Sequence, residues 1–115
     1  IESTSYLKYL WSKYIINKSY QSTKELIEKY NLDAFIGLTR GPAWKINYDG
    51  GDYVAMNNTI EFGSGGYAAH NGMPHITIPY FEINKFPVGI SIIGDRWTDK
   101  TIIGYASAIE KSRYN

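Results

Sequence analysis

The stretch Pro87-Val88-Gly89-Ile90-Ser91-Ile92-Ile93-Gly94 constrains this chain more than any other. It is apolar on both of its alternating faces, so neither face suits water, and a strand of this kind is covered on both sides by helices. Gly89 inside it predicts close approach by a neighbouring element. A second apolar run, His75-Ile76-Thr77-Ile78-Pro79, comes before it and stops at Pro79. Asn84-Lys85 reads as the turn between the two, and strands joined by so short a turn pair antiparallel. Strands are therefore expected near 75–79 and 87–93, with a third near 33–38, where Leu32-Asp33-Ala34-Phe35-Ile36-Gly37-Leu38 is short, apolar and bounded by Gly41-Pro42.

The covering helices are visible too. Leu7, Leu10, Trp11, Tyr14 and Ile15 lie on one helical face, and Thr23, Leu26, Ile27 and Tyr30 continue the stripe. The spacing predicts a long helix over 4–30, with a candidate break among the polar residues from Asn17 to Ser22. Asn31 suits its C-terminus because Asn tolerates the left-handed conformation. Thr98 is the expected N-cap of a last helix over 99–112, with Asp99 complementing the helix dipole. Arg40 to Asn58 reads as a long loop rich in turn formers, and a loop of that length is usually functional. Thr59 to Asn71 is ambiguous, with Gly63-Ser64-Gly65-Gly66 able to open a short helix that Gly72 and Pro74 would end. The order α, β, long loop, short α, β, β, α is a mixed α/β layer within one unit, 1–115, with no internal repeat.

Composition excludes several classes. Twelve basic against eleven acidic side chains leave a net charge of +1, which rules out a strongly basic nucleic-acid module. With no cysteine there are no disulfides, thiolate metal sites or cysteine nucleophiles. The compartment stays open on that count, with the cytoplasm favoured. No apolar run approaches the roughly 18 residues of a membrane span. Neither nucleic acid nor membrane is therefore expected as a partner. The chain opens on Ile1 without a charged and then apolar leader, which reads as upstream removal by processing or truncation. Eleven tyrosines fit a coding bias better than a base- or sugar-stacking platform, because no basic stripe accompanies them.

The residues that carry chemistry form no complete catalytic set. Gly63-Ser64-Gly65-Gly66-Tyr67-Ala68 fits G-x-G-x-x-[GA], and Glu82 follows at about the distance of a ribose-binding acid. The context of a long helix and a preceding apolar strand is missing, so a flexible turn or close packing is the better reading. His70 and His75 are the only histidines, and nothing in their spacing to Asp52, Glu61 or Glu82 demands a metal. Ser64 and His70 sit on one short element that does not aim the imidazole at the hydroxyl, and Glu61 stands where a nucleophile elbow needs glycine. Asp95-Arg96 and Asp99 follow the last strand, with Asp99 better explained as a helix-start residue. Trp44 and Trp97 lie near turns, where a core-edge plug is the stronger reading than a pocket wall.

Taken in order, these residues resemble the C-terminal part of the amidase signature family of hydrolases. Leu32-Asp33-Ala34-Phe35-Ile36 with Thr39 resembles that family's "LDA…PT" strand. Gly41-Pro42-Ala43-Trp44, with Ile46 and Gly51-Asp52, is similar to its "GPAW…GD" loop. Gly72-Met73-Pro74 with Ile76-Thr77-Ile78-Pro79, and above all Phe86 to Gly94, resemble "G-x-P…I-T-V-P" and "L-P-V-G-L-x-x-x-G". Trp97, Asp99, Ala106 and Glu110 match the closing helix. Leu38 and Lys45 depart from the family, which usually has Pro at both places.

The resemblance implies a mixed sheet covered by helices, a fragment of a larger fold. It implies amide hydrolysis by a serine nucleophile, with a lysine working through a second serine. None of those groups maps onto this chain, so no catalytic residue, metal or cofactor is expected in it. The substrate-binding candidates are Thr39, Gly41, Trp44, Gly63, Ser64 and Gly65. The expected partners are the remainder of an amidase chain, a small amide substrate and, through exposed apolar surface, a second copy. The alternatives are a free-standing small α/β ligand-binding module and, behind it, a small hydrolase using Ser64 and His70.

Overall fold

The computed structural model describes residues 2–57 and 63–114. Its elements are α1 (Glu2–Tyr30), β1 (Phe35–Leu38), α2 (Gly51–Asn57), α3 (Gly65–Asn71), β2 (His75–Ile83), β3 (Phe86–Ile93) and α4 (Asp99–Arg113). The strands form an antiparallel sheet in the order β1-β3-β2, so the most apolar strand is central. Asn84 and Lys85 both have positive φ (52° and 69°), the conformation of a two-residue hairpin turn that follows the strand twist.

Strand alternation builds two different faces. Val88, Ile90 and Ile92 of β3 share one face with Ile76 and Ile78 of β2. There α4 closes a core of Ile78, Ile92, Ile102 and Ala106. Gly94 lets the helix come in: a Cβ at that position would stand 2.5 Å from Ile102 Cγ2. Half of the other face carries a second core, Ala68, Met73 and Ile93, with Tyr20, Ile27 and Phe35 packed against it from α1 and β1. The expectation of helices on both sides of β3 therefore holds over its C-terminal half.

Four local expectations change. The candidate break at Asn17–Ser22 is absent, and α1 runs unbroken for 29 residues. It ends at Asn31 (φ 51°), where Leu32 N–H donates to Ile27 O at 2.9 Å in a Schellman pattern. Strand β2 does not stop at Pro79. It is an edge strand, where a missing N–H is tolerated, and a register shift between Pro79 and Phe81 absorbs the irregularity. The Pro79 carbonyl accepts from Arg113 Nη1 at 2.6 Å. The long loop contains the short helix α2, which its glycines concealed. Thr98 stands at the N-cap of α4, but its hydroxyl donates back to Asp95 O at 2.6 Å rather than capping the helix.

The molecule is flat and open. Its radius of gyration is 17.9 Å and its extents are 50 × 44 × 21 Å, where a compact domain of this length has a radius near ~13 Å. Its accessible surface is 8861 Å², against about 6,400 Å² for a self-contained monomer of this mass. The first half of α1 carries a run of exposed apolar side chains, with Leu7 and Trp11 65% and 64% exposed. Among the described residues no helix is long and apolar enough to cross a membrane.

Candidate functional site

Beyond the second core, the same face of the sheet turns polar. Gly37, Ser91 and Thr77 lie side by side across β1, β3 and β2, with Gly89 and His75 one pleat away. Ser91 Oγ lies 2.6 Å from His75 Nε2 and donates to Thr39 Oγ1 at 2.8 Å. Thr39 Oγ1 in turn reaches Thr77 Oγ1 at 3.4 Å. This last contact passes over Gly89, where a Cβ would stand 2.7 Å from Thr77 Cγ2 and 2.9 Å from Thr39 Oγ1. The close approach expected at Gly89 is thus the meeting of Thr39, just past the end of β1, with Thr77 of β2 over the central strand. Ser91 is fully buried, while Thr77 faces solvent.

This hydroxyl row supports the loops. Thr39 N–H donates to Gly89 O at 2.9 Å, and Thr39 O accepts from Ser64 N–H at 3.2 Å. Ser64 Oγ donates to Leu38 O at 3.0 Å, and Arg40 bridges to Gly63. Gly65 sits beside the imidazole, with its Cβ direction 3.8 Å from His75 Cε1. Thr39, Gly63, Ser64 and Gly65 are therefore brought together.

Gly41 and Trp44 lie on the other arm of the loop, in an open cleft of about 440 Å³ with Arg40, Pro42, Asp52 and Pro87. Trp44 Nε1 donates to Asp52 Oδ1 at 3.3 Å, and the Arg40 guanidinium lies 4.8 Å over the indole ring. Trp44 is half-buried, with its ring polarised by a cation and its N–H held by a carboxylate. A second hollow of about 540 Å³ opens beyond it along residues 45–49.

Other candidates fall apart. His70 Nδ1 pairs with Gly66 O at 2.6 Å, and the Ser64 hydroxyl is spent on Leu38 O, so the Ser64–His70 pair does not form. Among the described residues no three of His, Asp and Glu gather as metal ligands, and Glu61 lies outside those residues. The glycine fingerprint opens only the seven-residue α3, which ends at Gly72 (φ 61°). Trp97 plugs no core edge: it is 93% exposed.

The sequence reading missed a second polar cluster. Asp95 Oδ1 accepts from the Tyr20 hydroxyl at 2.6 Å, and Oδ2 accepts from Lys24 Nζ at 2.6 Å. The Arg96 N–H adds a third donor at 2.7 Å, while the Arg96 guanidinium stacks 3.6 Å over the Tyr20 ring. Burial pushes the Asp95 carboxyl up, but the Lys24, Tyr20 and Arg96 hydrogen bonds outweigh it and hold it below its ordinary 3.8. The hydrogen bond to Asp95 raises both Tyr20 and Lys24 above their ordinary values. Tyr20 and Lys24 share one helical face at i, i+4, which was the available signal, but their partner is remote in sequence.

No protein-family model matches the chain. A stretch of 45 residues, 38% of the chain, is 44% identical to the A subunit of glutamyl-tRNA(Gln) amidotransferase from Thermotoga maritima. The X-ray structure of peptide amidase from Stenotrophomonas maltophilia superposes on 76% of the chain with a TM-score of 0.62 and 27% identity. The chain spans only 10% of the first protein and 16% of the second. The architecture is that of the amidase signature fold, a mixed α/β layer with its sheet between helices. Within that fold, the two partial matches support a C-terminal portion of an amidase signature protein.

Proposed function

We propose that this chain is the C-terminal segment of a serine-dependent amidase that hydrolyses carbon–nitrogen bonds of a small amide, and that it is catalytically silent alone. The observation that carries the reading is the superposition on peptide amidase over 76% of the chain. In this reading the nucleophilic serine and its lysine base lie elsewhere in the protein. The chain supplies core strands, and Thr39, Gly41, Trp44, Gly63, Ser64 and Gly65 line one side of the substrate pocket. The remainder of the amidase covers the apolar half of α1, and the surface excess over a self-contained monomer is consistent with that. A free-standing ligand-binding module would use the cleft beside Trp44, but it leaves that excess unexplained.

The test labels two proteins with a serine-directed fluorophosphonate and assays both on a simple amide. One is the 115-residue chain, and the other is the product of its reading frame carried upstream. Labelling and turnover in the longer protein alone support the proposal. Labelling of the short chain, or turnover by neither protein, overturns it.

A further inference from the structure

We propose that His75 is a positioning residue that sets the two pocket loops by fixing the direction of protons along a row of hydroxyls centred on the buried Ser91. The role given to the loops rests on the amidase reading, whereas the row stands on geometry alone. Ser91 is 0% exposed, and its hydroxyl has a single proton, which goes to Thr39 Oγ1 at 2.8 Å. The 2.6 Å contact with His75 Nε2 then requires the imidazole to be the donor, as the Nε2–H tautomer. The opposite tautomer would press two lone pairs together in a buried site. Thr39 receives the Ser91 proton and directs its own toward Thr77 Oγ1 at 3.4 Å. The row therefore runs His75 to Ser91 to Thr39 to Thr77, whose Oγ1 lies back within 3.4 Å of His75 Nε2 and 3.5 Å of Ser91 Oγ.

Thr39 is where this order meets the loops. Its backbone carbonyl holds Ser64 N–H, and the residue after it opens the Trp44 cleft. A side chain at 75 that cannot donate leaves the buried Ser91 oxygen only the long 3.5 Å contact with Thr77 Oγ1 and frees Thr39 to turn. Gly63–Gly65 and Gly41–Trp44 then lose their common anchor. His75 touches no reacting atom in this scheme and acts only through Ser91 and Thr39.

The test compares His75→Ala, His75→Gln and Ser91→Ala in the longest protein that the reading frame encodes. His75→Ala is expected to raise KM about 3- to 10-fold, the range of one buried hydrogen bond, with kcat changed less than about twofold. Gln carries an N–H donor at similar reach, and His75→Gln should recover most of that loss. Ser91→Ala should match His75→Ala, and the double variant should not exceed either single. Equal losses in His75→Ala and His75→Gln, or additive losses in the double variant, overturn the proposal. Imidazole ¹⁵N shifts decide the row without any activity: an Nε2–H tautomer is expected, and an Nδ1–H tautomer overturns it. The Thr39 and Ser64 amide resonances should move in His75→Ala and stay in His75→Gln. If the wild-type protein cleaves no amide, the amidase reading falls while the NMR measurements still decide the row.

Discussion

The Tyr20 hydroxyl donates to Asp95 Oδ1 at 2.6 Å, joining the middle of α1 to the turn that follows the central strand, 75 residues away. Among the described residues few other polar contacts tie α1 to the sheet, so this carboxylate is the clamp between helix and turn. Tyr20→Phe removes one of its three donors and is expected to cost about 1 kcal/mol. Asp95→Ala strips all three and should cost about 2 kcal/mol. Thermal unfolding of the purified variants checks both, and an Asp95→Ala protein as stable as wild type would show that the clamp carries no weight.

The same cluster fixes a pH window. The Asp95 carboxyl sits below its ordinary 3.8, so its contribution is complete above that value and is lost as pH falls through the lower native one. Tyr20 and Lys24 are raised above 10.0 and 10.5, so theirs is complete below those values and is lost as pH rises through the native ones. The melting temperature should therefore be flat from about pH 5 to about pH 9 with respect to these groups, and decline on both sides. Asp95→Asn should flatten the acid decline, which a series of melts from pH 2 to pH 7 would reveal.

Gly89→Ala tests the crossing of the strands. The new methyl would meet Thr77 Cγ2 at 2.7 Å and Thr39 Oγ1 at 2.9 Å, atoms on short branched side chains held by β2 and by the Thr39 N–H bond to Gly89 O. A destabilisation of about 1–3 kcal/mol is expected from this overpacking, together with altered Thr39 and Ser91 resonances. An unperturbed spectrum would mean that the strands separate freely.

Trp97 has φ 68° and is 93% exposed, a bulky residue in the left-handed region with little to hold it. Trp97→Gly relieves that conformation and should stabilise the 115-residue chain by about 1 kcal/mol, read from its denaturant midpoint. A loss of stability would show that the indole packs better than its exposure implies.

The bare half of α1 predicts association of the short chain. Sedimentation should show a concentration-dependent mass. The paired change Leu7→Glu and Trp11→Glu, at positions 65% and 64% exposed, should leave a monomer. A wild-type chain that sediments as a monomer at all concentrations would remove the self-association prediction.

Much of this fold is legible in the sequence because its strands break the period-2 rule in a telling way. Ile90, Ile92 and Ile93 announce a strand with two dry faces, and the structure covers both near Ile93. The site was legible only in pieces. Gly63-Ser64-Gly65 and Thr39 stand out as turn and strand-end residues, yet their meeting depends on a register across three strands that no local pattern encodes. Ser91 was the visible hint: a lone hydroxyl in an apolar strand asks for partners. His75 and Thr39 answer from positions 16 and 52 residues away. The α1 stripe shows the opposite limit. Its periodicity is plain, but a period cannot say whether the cover comes from the same chain.

Pro79 has a consequence for how this sheet can grow. Its ring brings no N–H to the outer rim of β2, and Arg113 already occupies its carbonyl. At that point the rim offers an incoming strand neither donor nor acceptor. The rim of β1 has no such stop: Phe35–Leu38 is the opposite edge of the sheet and contains no proline, so each of its residues keeps its N–H. The sheet is thus a one-ended template: another strand can be laid along β1, whereas along β2 the lattice of backbone bonds terminates at the proline.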